Sequence, residues 1–589
     1  MKLAVFLLAS AAIFVPITSA SGISKITRTG RYLYSADGNR FYVKGALSLL
    51  AQIILIMSPI FVIHDNLADG AACSRDLPNL QKLGVNVIRA YYANSSLSHD
   101  ACMSVLSGAG IYAIIDLSLP LNGSIDSSQP VWSTNLLDQY LRTIDAFSKY
   151  DNVLAFNLGN EVLSEPSPNL TSAAPFLKAA ARDIKAYLTS ISSSALVGYV
   201  SLDGITGFRD AVADYLSCDP SSRNSGSTSI DLFGLNNYEW CGNSANTTYD
   251  ALNTEFEDYN VVAYFSEFGS EACNPGVRVW TETGTLFSAP MTNVWSGGVA
   301  YNYFPQPIDF NDAVGTTQFG LVTVASDDAV TTNVDFDNLA AQYAKVSLVN
   351  SPSQGSVAAS RFGVCPSNNA QFVASTTLPP TPNDIACTCL ASKLSCVFTP
   401  STSLNLVSLT KNLTDEVCSQ LPQVGGNCTD IRTNGTTGLY GIVGISPTHL
   451  ACTMNSPTRA TLRGNAKINA TATGSTSAAL STCIPSPSAV FTPSAPPGGV
   501  LVPTSSSSTM HGTASPSQTS SVPQPGPSKS HIAAIIGGCV GGLVLAAGLV
   551  LFIVWYRKRQ RQNLQGEQDM SSVIPVNAET VYPFVVPGG

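Results

Sequence analysis

Between Phe41 and Phe304 the chain repeats one pattern: a short apolar, β-branched run, then a segment with helical spacing. The runs are FYVKGA (41–46), VNVIRAYY (85–92), GIYAIIDLS (110–118), VLAFNLGNE (153–161), LVGYVSLD (196–203), DLFGLNNYEW (231–240), VVAYFSEFG (261–269) and GGVAYNYF (297–304). Apolar residues at helical period predict helices over 76–83, 136–148, 174–188 and 339–346. Continuously apolar strands alternating with helices indicate a parallel sheet covered on both faces. Eight such runs fit an α/β fold of the (β/α)8 TIM barrel type better than an open doubly wound sheet. No GxGxxG follows the first run, which weakens a nucleotide-binding alternative.

The ends of the sequence have a different texture. Residues 1–20, MKLAVFLLASAAIFVPITSA, read as a cleaved signal peptide: one Lys, an apolar stretch and a small-residue end. Residues 532–556 are 25 positions without a charge, enough for a single transmembrane helix. Arg557-Lys558-Arg559-Gln560-Arg561 follows at once and puts 557–589 in the cytosol. The expectation is a type I plasma-membrane protein with its catalytic part facing outward. Only 12% of residues are charged, and the net charge is −9, which argues against nucleic acid as a partner. None of the five His pairs with another at a metal-ligand spacing, so no metal and no cofactor is expected.

Cysteines and sequons agree with an oxidising exterior. Thirteen of the 14 Cys lie between Cys73 and Cys483, and Cys539 sits alone in the apolar span. Glycosylation sequons occur at Asn94, Asn122, Asn169, Asn246, Asn412, Asn427, Asn434 and Asn469. After a catalytic domain over 21–364, residues 365–483 hold eight Cys and read as a small disulfide-stapled module. Residues 484–530 contain 28 Ser, Thr or Pro in 47 positions, a mucin-like stalk.

Function in a barrel of this type sits at the C-terminal ends of its strands. Glu161 closes the fourth run in FNLGNE and Glu267 closes the seventh in AYFSEFG. Cleaving a glycosidic bond needs one carboxyl to protonate the leaving oxygen and a second to attack or stabilise the anomeric carbon. A lone strand-end Glu is most often a salt bridge. Two of them, at strands four and seven with Asn160 before the first, form the pattern of a glycosidase.

FNLGNEV and YFSEFGSEAC, with LADGAACSRDLPNLQKLGVNVIRAY, HDACMSVLSGAGIYAIIDLS and VWSGGVAYNYF, resemble glycoside hydrolase family 72 over roughly residues 23–350. These are fungal β-1,3-glucanosyltransferases, which cleave and re-join β-1,3-glucan in the cell wall. The resemblance implies Glu161 as acid/base, Glu267 as nucleophile and Asn160 as partner of the sugar 2-hydroxyl. It implies Tyr238 as the residue orienting the nucleophile and Tyr91, Asp116 and Tyr301 as lining of the sugar cleft; Tyr303 could share the role of Tyr301. It implies the disulfides Cys73–Cys102, Cys241–Cys273 and Cys218–Cys365. CTCLASKLSC, NCTDI and NGTTGLYG in the later region resemble carbohydrate-binding module family 43, with Ser446 and Ala460 where Cys is expected and Cys452 extra. Donor and acceptor would both be β-1,3-glucan, and the oligomeric state stays open. A plain β-1,3-glucanase and a non-catalytic wall sensor or tether are the alternatives.

One segment departs from the family. After the first run the chain reads GALSLLAQIILIMSPIFVIHDNLADG, where the family has an Ala-Tyr-Gln-type loop that contributes a Gln to the donor cleft. Residues 46–63 are nearly membrane-like. A second span would put sequons and disulfides in the wrong compartment, and a buried helix at the barrel mouth would be hard to cover. A translated intron or faulty gene model replacing the true loop is the preferred explanation.

Overall fold

The computed structural model describes residues 22–383 except 50–52, 56–60, 120–123, 128–129, 165–167, 242–244, 272–275 and 306–318, and also position 493. Eight parallel strands close a barrel in sequence order. They are β1 (Val43–Leu49), β2 (Val87–Ala90), β3 (Tyr112–Asp116), β4 (Val153–Asn160), β5 (Leu196–Leu202), β6 (Leu232–Asn236), β7 (Val262–Phe268) and β8 (Trp295–Ala300). Each of the eight apolar runs supplies one of them. The helices are α1 (Gly70–Leu83), α2 (Asp100–Gly108), α3 (Thr134–Phe147), α4 (Ala174–Ser190), α5 (Arg209–Ser217), α6 (Ala245–Phe256), α7 (Glu282–Leu286), α8 (Met291–Val294) and α9 (Val334–Tyr343).

Local chemistry sets where these helices begin and end. Asp69 caps α1 by accepting from the amides of Ala71 and Ala72, and Gly84 ends it in the left-handed conformation that a glycine adopts without penalty. α1 begins six residues earlier than its apolar period suggests, because its first turns carry Gly70, Ala71 and Ala72 rather than large apolar residues. Ser133 caps α3 through the amide of Leu136, and Asn333 caps α9 through that of Phe336.

Two apolar layers result. Val43, Val87, Ile114, Leu154, Leu232, Val262, Tyr264 and Val299 fill the barrel interior. The alternate residues of the same strands, such as Ile88, Ala113, Phe233 and Phe265, pack outward against the helices. A three-stranded antiparallel sheet (Ile26–Thr29, Tyr32–Ser35, Arg40–Phe41) adds Ile26 and Leu33 to the inner layer. Its Arg28 reaches Asp231, just before β6, at 3.4 Å, so this sheet closes the end opposite the catalytic one.

Residues beyond α9 run along the outside of the barrel. Phe372 is fully buried against Tyr215 of α5, with ring centroids 5.5 Å apart. Thr381 donates to Asp183 of α4 at 2.7 Å. The first nineteen residues of the cysteine-rich stretch, 365–383, therefore lie on the catalytic body. The Cys218–Cys365 disulfide fastens this strap to the end of α5, and Cys73–Cys102 joins α1 to α2. Cys241 is also disulfide-bonded, while Cys273 lies outside the described residues.

The described residues of the anomalous apolar segment are extended. Its start prolongs β1 to Leu49, where Ala46 pairs with Ile88 and Leu49 with Ala90 of β2. Ile53–Leu55 then pairs antiparallel with Phe61–Ile63. The described residues here form a strand end and a two-stranded ribbon, not the buried helix that would be hard to cover. Among the described residues no helix is long and apolar enough to cross a membrane. The expected signal peptide (1–20), the expected module beyond residue 383, the expected stalk apart from position 493, the expected 532–556 span and the tail lie outside them, as do Asn122, Asn412, Asn427, Asn434 and Asn469. Asn169 falls in the 3-10 turn Pro168–Ala173 and Asn246 in α6; Asn94 sits in the β2–α2 loop.

Candidate active site

Seven of the predicted residues come together at the C-terminal end of the barrel. Glu267 is the penultimate residue of β7, and a register slip aims it inward. Leu235 of β6 stands opposite Phe265, but Asn236 stands opposite Glu267, so β7 carries one extra residue there. Such bulges re-aim side chains beside active sites. Glu161 follows β4 directly, exposed, with its amide bonded to the carbonyl of Val200 at 2.9 Å. Its φ of +51° is in the left-handed region, a strained setting for a residue with a Cβ.

The two carboxylates have different surroundings. Glu267 is 7% exposed and accepts three side-chain donors: Tyr91 O–H and Arg89 Nη1 (3.3 Å) on Oε1, and Tyr238 O–H on Oε2 at 2.7 Å. Burial pushes its carboxyl above the ordinary range, and Glu161 pushes the same way. Arg89, Tyr91 and Tyr238 oppose that rise by binding the ionised form. Burial also drives the phenols of Tyr91 and Tyr238 well above their ordinary value, so both stay protonated and can donate. Glu161 accepts from Asn236 Nδ2 at 2.7 Å, and Asn236 is itself oriented by the Ser266 hydroxyl at 2.8 Å. Asn236 therefore links the acid at β4 to the register position of the acid at β7.

Arg89 organises the centre. It is fully buried and directs Nη2 to Asp116 Oδ2 at 2.7 Å and to Asn160 Oδ1 at 2.8 Å. Its Nε meets the other Asp116 oxygen at 3.2 Å, which also accepts from Asn157 Nδ2 at 2.6 Å. Asp116 is 1% exposed, so it stands behind Arg89 rather than on the open wall. Tyr238, Tyr301 and Phe319 form an aromatic cluster beside Glu267, with centroids 5.9 Å apart for Tyr238–Tyr301 and 5.4 Å for Tyr301–Phe319. Tyr303 does not share in this: it is 1% exposed and its hydroxyl turns to Asp76 of α1.

Two inward carboxylates at strands four and seven, one exposed and one clamped by donors, are the equipment of a glycosidase-type reaction. Comparison with known proteins agrees over most of the chain. The glycoside hydrolase 72 family, described as glucanosyltransferase, matches residues 17–347. The chain belongs to this family. The 1,3-beta-glucanosyltransferase gas1 of Schizosaccharomyces pombe is 37% identical over 448 residues, covering 75% of this chain and 76% of that one. The 1,3-beta-glucanosyltransferase GAS2 of Saccharomyces cerevisiae is 33% identical over 70% of this chain and 71% of its own. A solved structure of S. cerevisiae Gas2p, a glutamate-to-glutamine mutant in complex with laminaritetraose and laminaripentaose, superposes with a TM-score of 0.63 at 29% identity. It covers 77% of this chain and 94% of that chain.

Four further residues around the two glutamates escape a reading by sequence alone: Arg89, Asn157, Asn236 and Ser266. For Arg89 a signal exists. It is the one charged residue in VIRA, and strand alternation sends it inward with Val87 and Tyr91. Among the described residues no cluster of His, Cys, Asp or Glu could hold a metal ion.

Proposed function

We propose that the chain is a retaining β-1,3-glucanosyltransferase with Glu267 as nucleophile and Glu161 as acid/base. The observation that carries the assignment is the asymmetry of the pair. Glu267 is fixed by Arg89, Tyr91 and Tyr238, all of which favour its ionised form, whereas Glu161 is exposed and receives the Asn236 amide. A nucleophile needs fixed charge and aim; an acid/base needs access to a departing and an arriving hydroxyl.

In the first step a Glu267 oxygen attacks C1 of an internal glucosyl unit while Glu161 gives its proton to the glycosidic oxygen. The reducing-end fragment leaves with a free 3-hydroxyl. In the second step the 3-hydroxyl at the non-reducing end of another glucan attacks C1 of the glycosyl-enzyme. Glu161 takes its proton, and Glu267 is released as a carboxylate. Asn160, held by Arg89, would bind the 2-hydroxyl, and Tyr238 with Tyr301 would face the sugar ring.

The same reading sets the enzyme on the outer side of the plasma membrane, carried by the 532–556 helix on the 484–530 stalk. The 365–483 region would bind glucan. In support, the S. pombe match is longer than the chain up to residue 347, so it continues beyond the barrel.

Incubating the purified full-length protein with a reducing-end-labelled laminari-oligosaccharide tests the activity. Products longer than the substrate are expected. Shorter products alone would make it a hydrolase, and none with retained binding would make it a tether. Glu161→Gln and Glu267→Gln should each abolish product formation; full activity in either removes the assignment.

A further inference from the structure

Three consecutive residues at the end of β6 each present a hydrogen-bond donor to a different carboxylate. Asn236 Nδ2 reaches Glu161 Oε1 at 2.7 Å, and Tyr238 O–H reaches Glu267 Oε2 at 2.7 Å. Between them, Asn237 sends its side-chain Nδ2 to Asp203 Oδ2 and its backbone N–H to the carbonyl of Glu267 at 2.9 Å. Asn237 is 3% exposed, so its buried amide depends on an acceptor within the protein, which Asp203 supplies. Neighbouring side chains of an extended segment point to opposite sides. Whatever holds Asn237 therefore sets the twist at which Asn236 and Tyr238 present their donors.

Asp203 is itself anchored. It follows β5, and Arg209, the first residue of α5, donates Nη1 to its Oδ1 at 2.9 Å. The rest of that guanidinium is fixed on Glu255 of α6, with Nε at 3.0 Å and Nη2 at 2.9 Å. Glu239, directly after Tyr238, lies 3.7 Å from Nη1. One chain of contacts thus runs from the outer helices α5 and α6 through Arg209, Asp203 and Asn237 to both candidate catalytic carboxylates.

We propose that Asp203 is a positioning residue for glucanosyl transfer: acting through Asn237, it fixes the segment from which Asn236 orients Glu161 and Tyr238 orients Glu267. This rests on the assignment of those two glutamates as the reacting pair. The reason the role matters is geometric. Reacting groups must be held to within about 0.5 Å of the productive arrangement, and one loosened segment here misplaces donors to both acids at once.

The test is steady-state transfer kinetics of the full-length protein on laminari-oligosaccharide, with thermal unfolding of each variant. Asp203→Ala should lower kcat about ten-fold or more and leave KM within about three-fold, because alignment rather than uniform binding is lost. Asp203→Asn keeps an oxygen for the Asn237 amide and should recover most of that loss. In an Asn237→Ala background, adding Asp203→Ala should cost less than about two-fold further, since the route is already cut. Should Asp203→Ala fail to fold, Asp203→Asn and Asn237→Ala carry the comparison: the first near wild type in kcat, the second about ten-fold lower. The proposal is overturned by wild-type kcat in Asp203→Ala or Asn237→Ala, by no recovery in Asp203→Asn, or by fully multiplicative losses. Glu161→Gln and Glu267→Gln are measured alongside. Activity in either would remove the reading of the site, whereas an inert Asp203 alone leaves that reading standing.

Discussion

The hydroxyl of Tyr238 donates to Oε2 of Glu267 at 2.7 Å, from a phenol that burial keeps protonated. The bond counters the desolvation that drives the Glu267 carboxyl upward. Removing it in Tyr238→Phe should raise that carboxyl further, because one fewer donor favours the ionised form. The acid limb of kcat/KM should therefore move to higher pH, and the plateau should fall by about ten- to a hundred-fold, as for loss of a hydrogen bond to a charged group. A pH–rate profile of transfer checks both. An unmoved acid limb would mean that Tyr238 does not control the titration of Glu267.

Glu161 adopts φ +51°, a conformation that L-residues enter at a cost of about 1–3 kcal/mol. Glycine enters it freely. Glu161→Gly should therefore be more stable than Glu161→Ala by about 1 kcal/mol, the reverse of the usual order, while both lack transfer activity. Chemical unfolding of the two variants decides it. Equal stabilities, or alanine the more stable, would show that the backbone there relaxes without strain.

Arg89 is fully buried and shared among Asp116, Asn160 and Glu267. Arg89→Met leaves the Asp116 carboxylate without its bidentate partner and should destabilise the fold on the order of 3–5 kcal/mol. Adding Asp116→Asn removes the stranded charge and should restore part of that. The comparison is by denaturant unfolding. A double variant no more stable than Arg89→Met would show that the lost packing, not the uncompensated charge, is the cause.

Much of this was legible in the sequence because it depends on strand order alone. Eight apolar runs predicted eight barrel strands, and that order put Glu161 and Glu267 at the active end. Arg89 and the Asn236-Asn237 pair were harder, since their meaning lies in contacts between strands. DLFGLNNYEW reads as the sixth strand, but which carboxylates its two Asn residues meet depends on β5 and β7 on either side of it. The register slip that turns Glu267 inward has no sequence marker, because the runs of β6 and β7 look regular by themselves. In 46–63 the near-continuous apolar character shows no period-2 alternation, so nothing in it marked the ribbon of Ile53–Leu55 and Phe61–Ile63.

Asp203, Glu239 and Glu255 share the single cation of Arg209. One guanidinium does not offset three acids. Burial first, then Glu239, pushes the Asp203 carboxyl up to about 7 against the pull of Arg209. In the unfolded chain an Asp titrates near about 3.9. Between these values the folded protein binds more protons, so the contribution of Asp203 to stability is present below about pH 4 and lost as pH rises toward and through 7. Asp214 on α5, raised to about 6 by burial and Asp210, acts in the same sense but is common to wild type and variant. Asp203→Asn cannot ionise. Its Tm should therefore rise relative to wild type as pH goes from 5 to about 7.5, with the gap levelling above that. Thermal unfolding across this range checks the sign. A gap that stays flat would mean that Arg209 keeps Asp203 ionised throughout, and a gap that closes with rising pH would reverse the assignment.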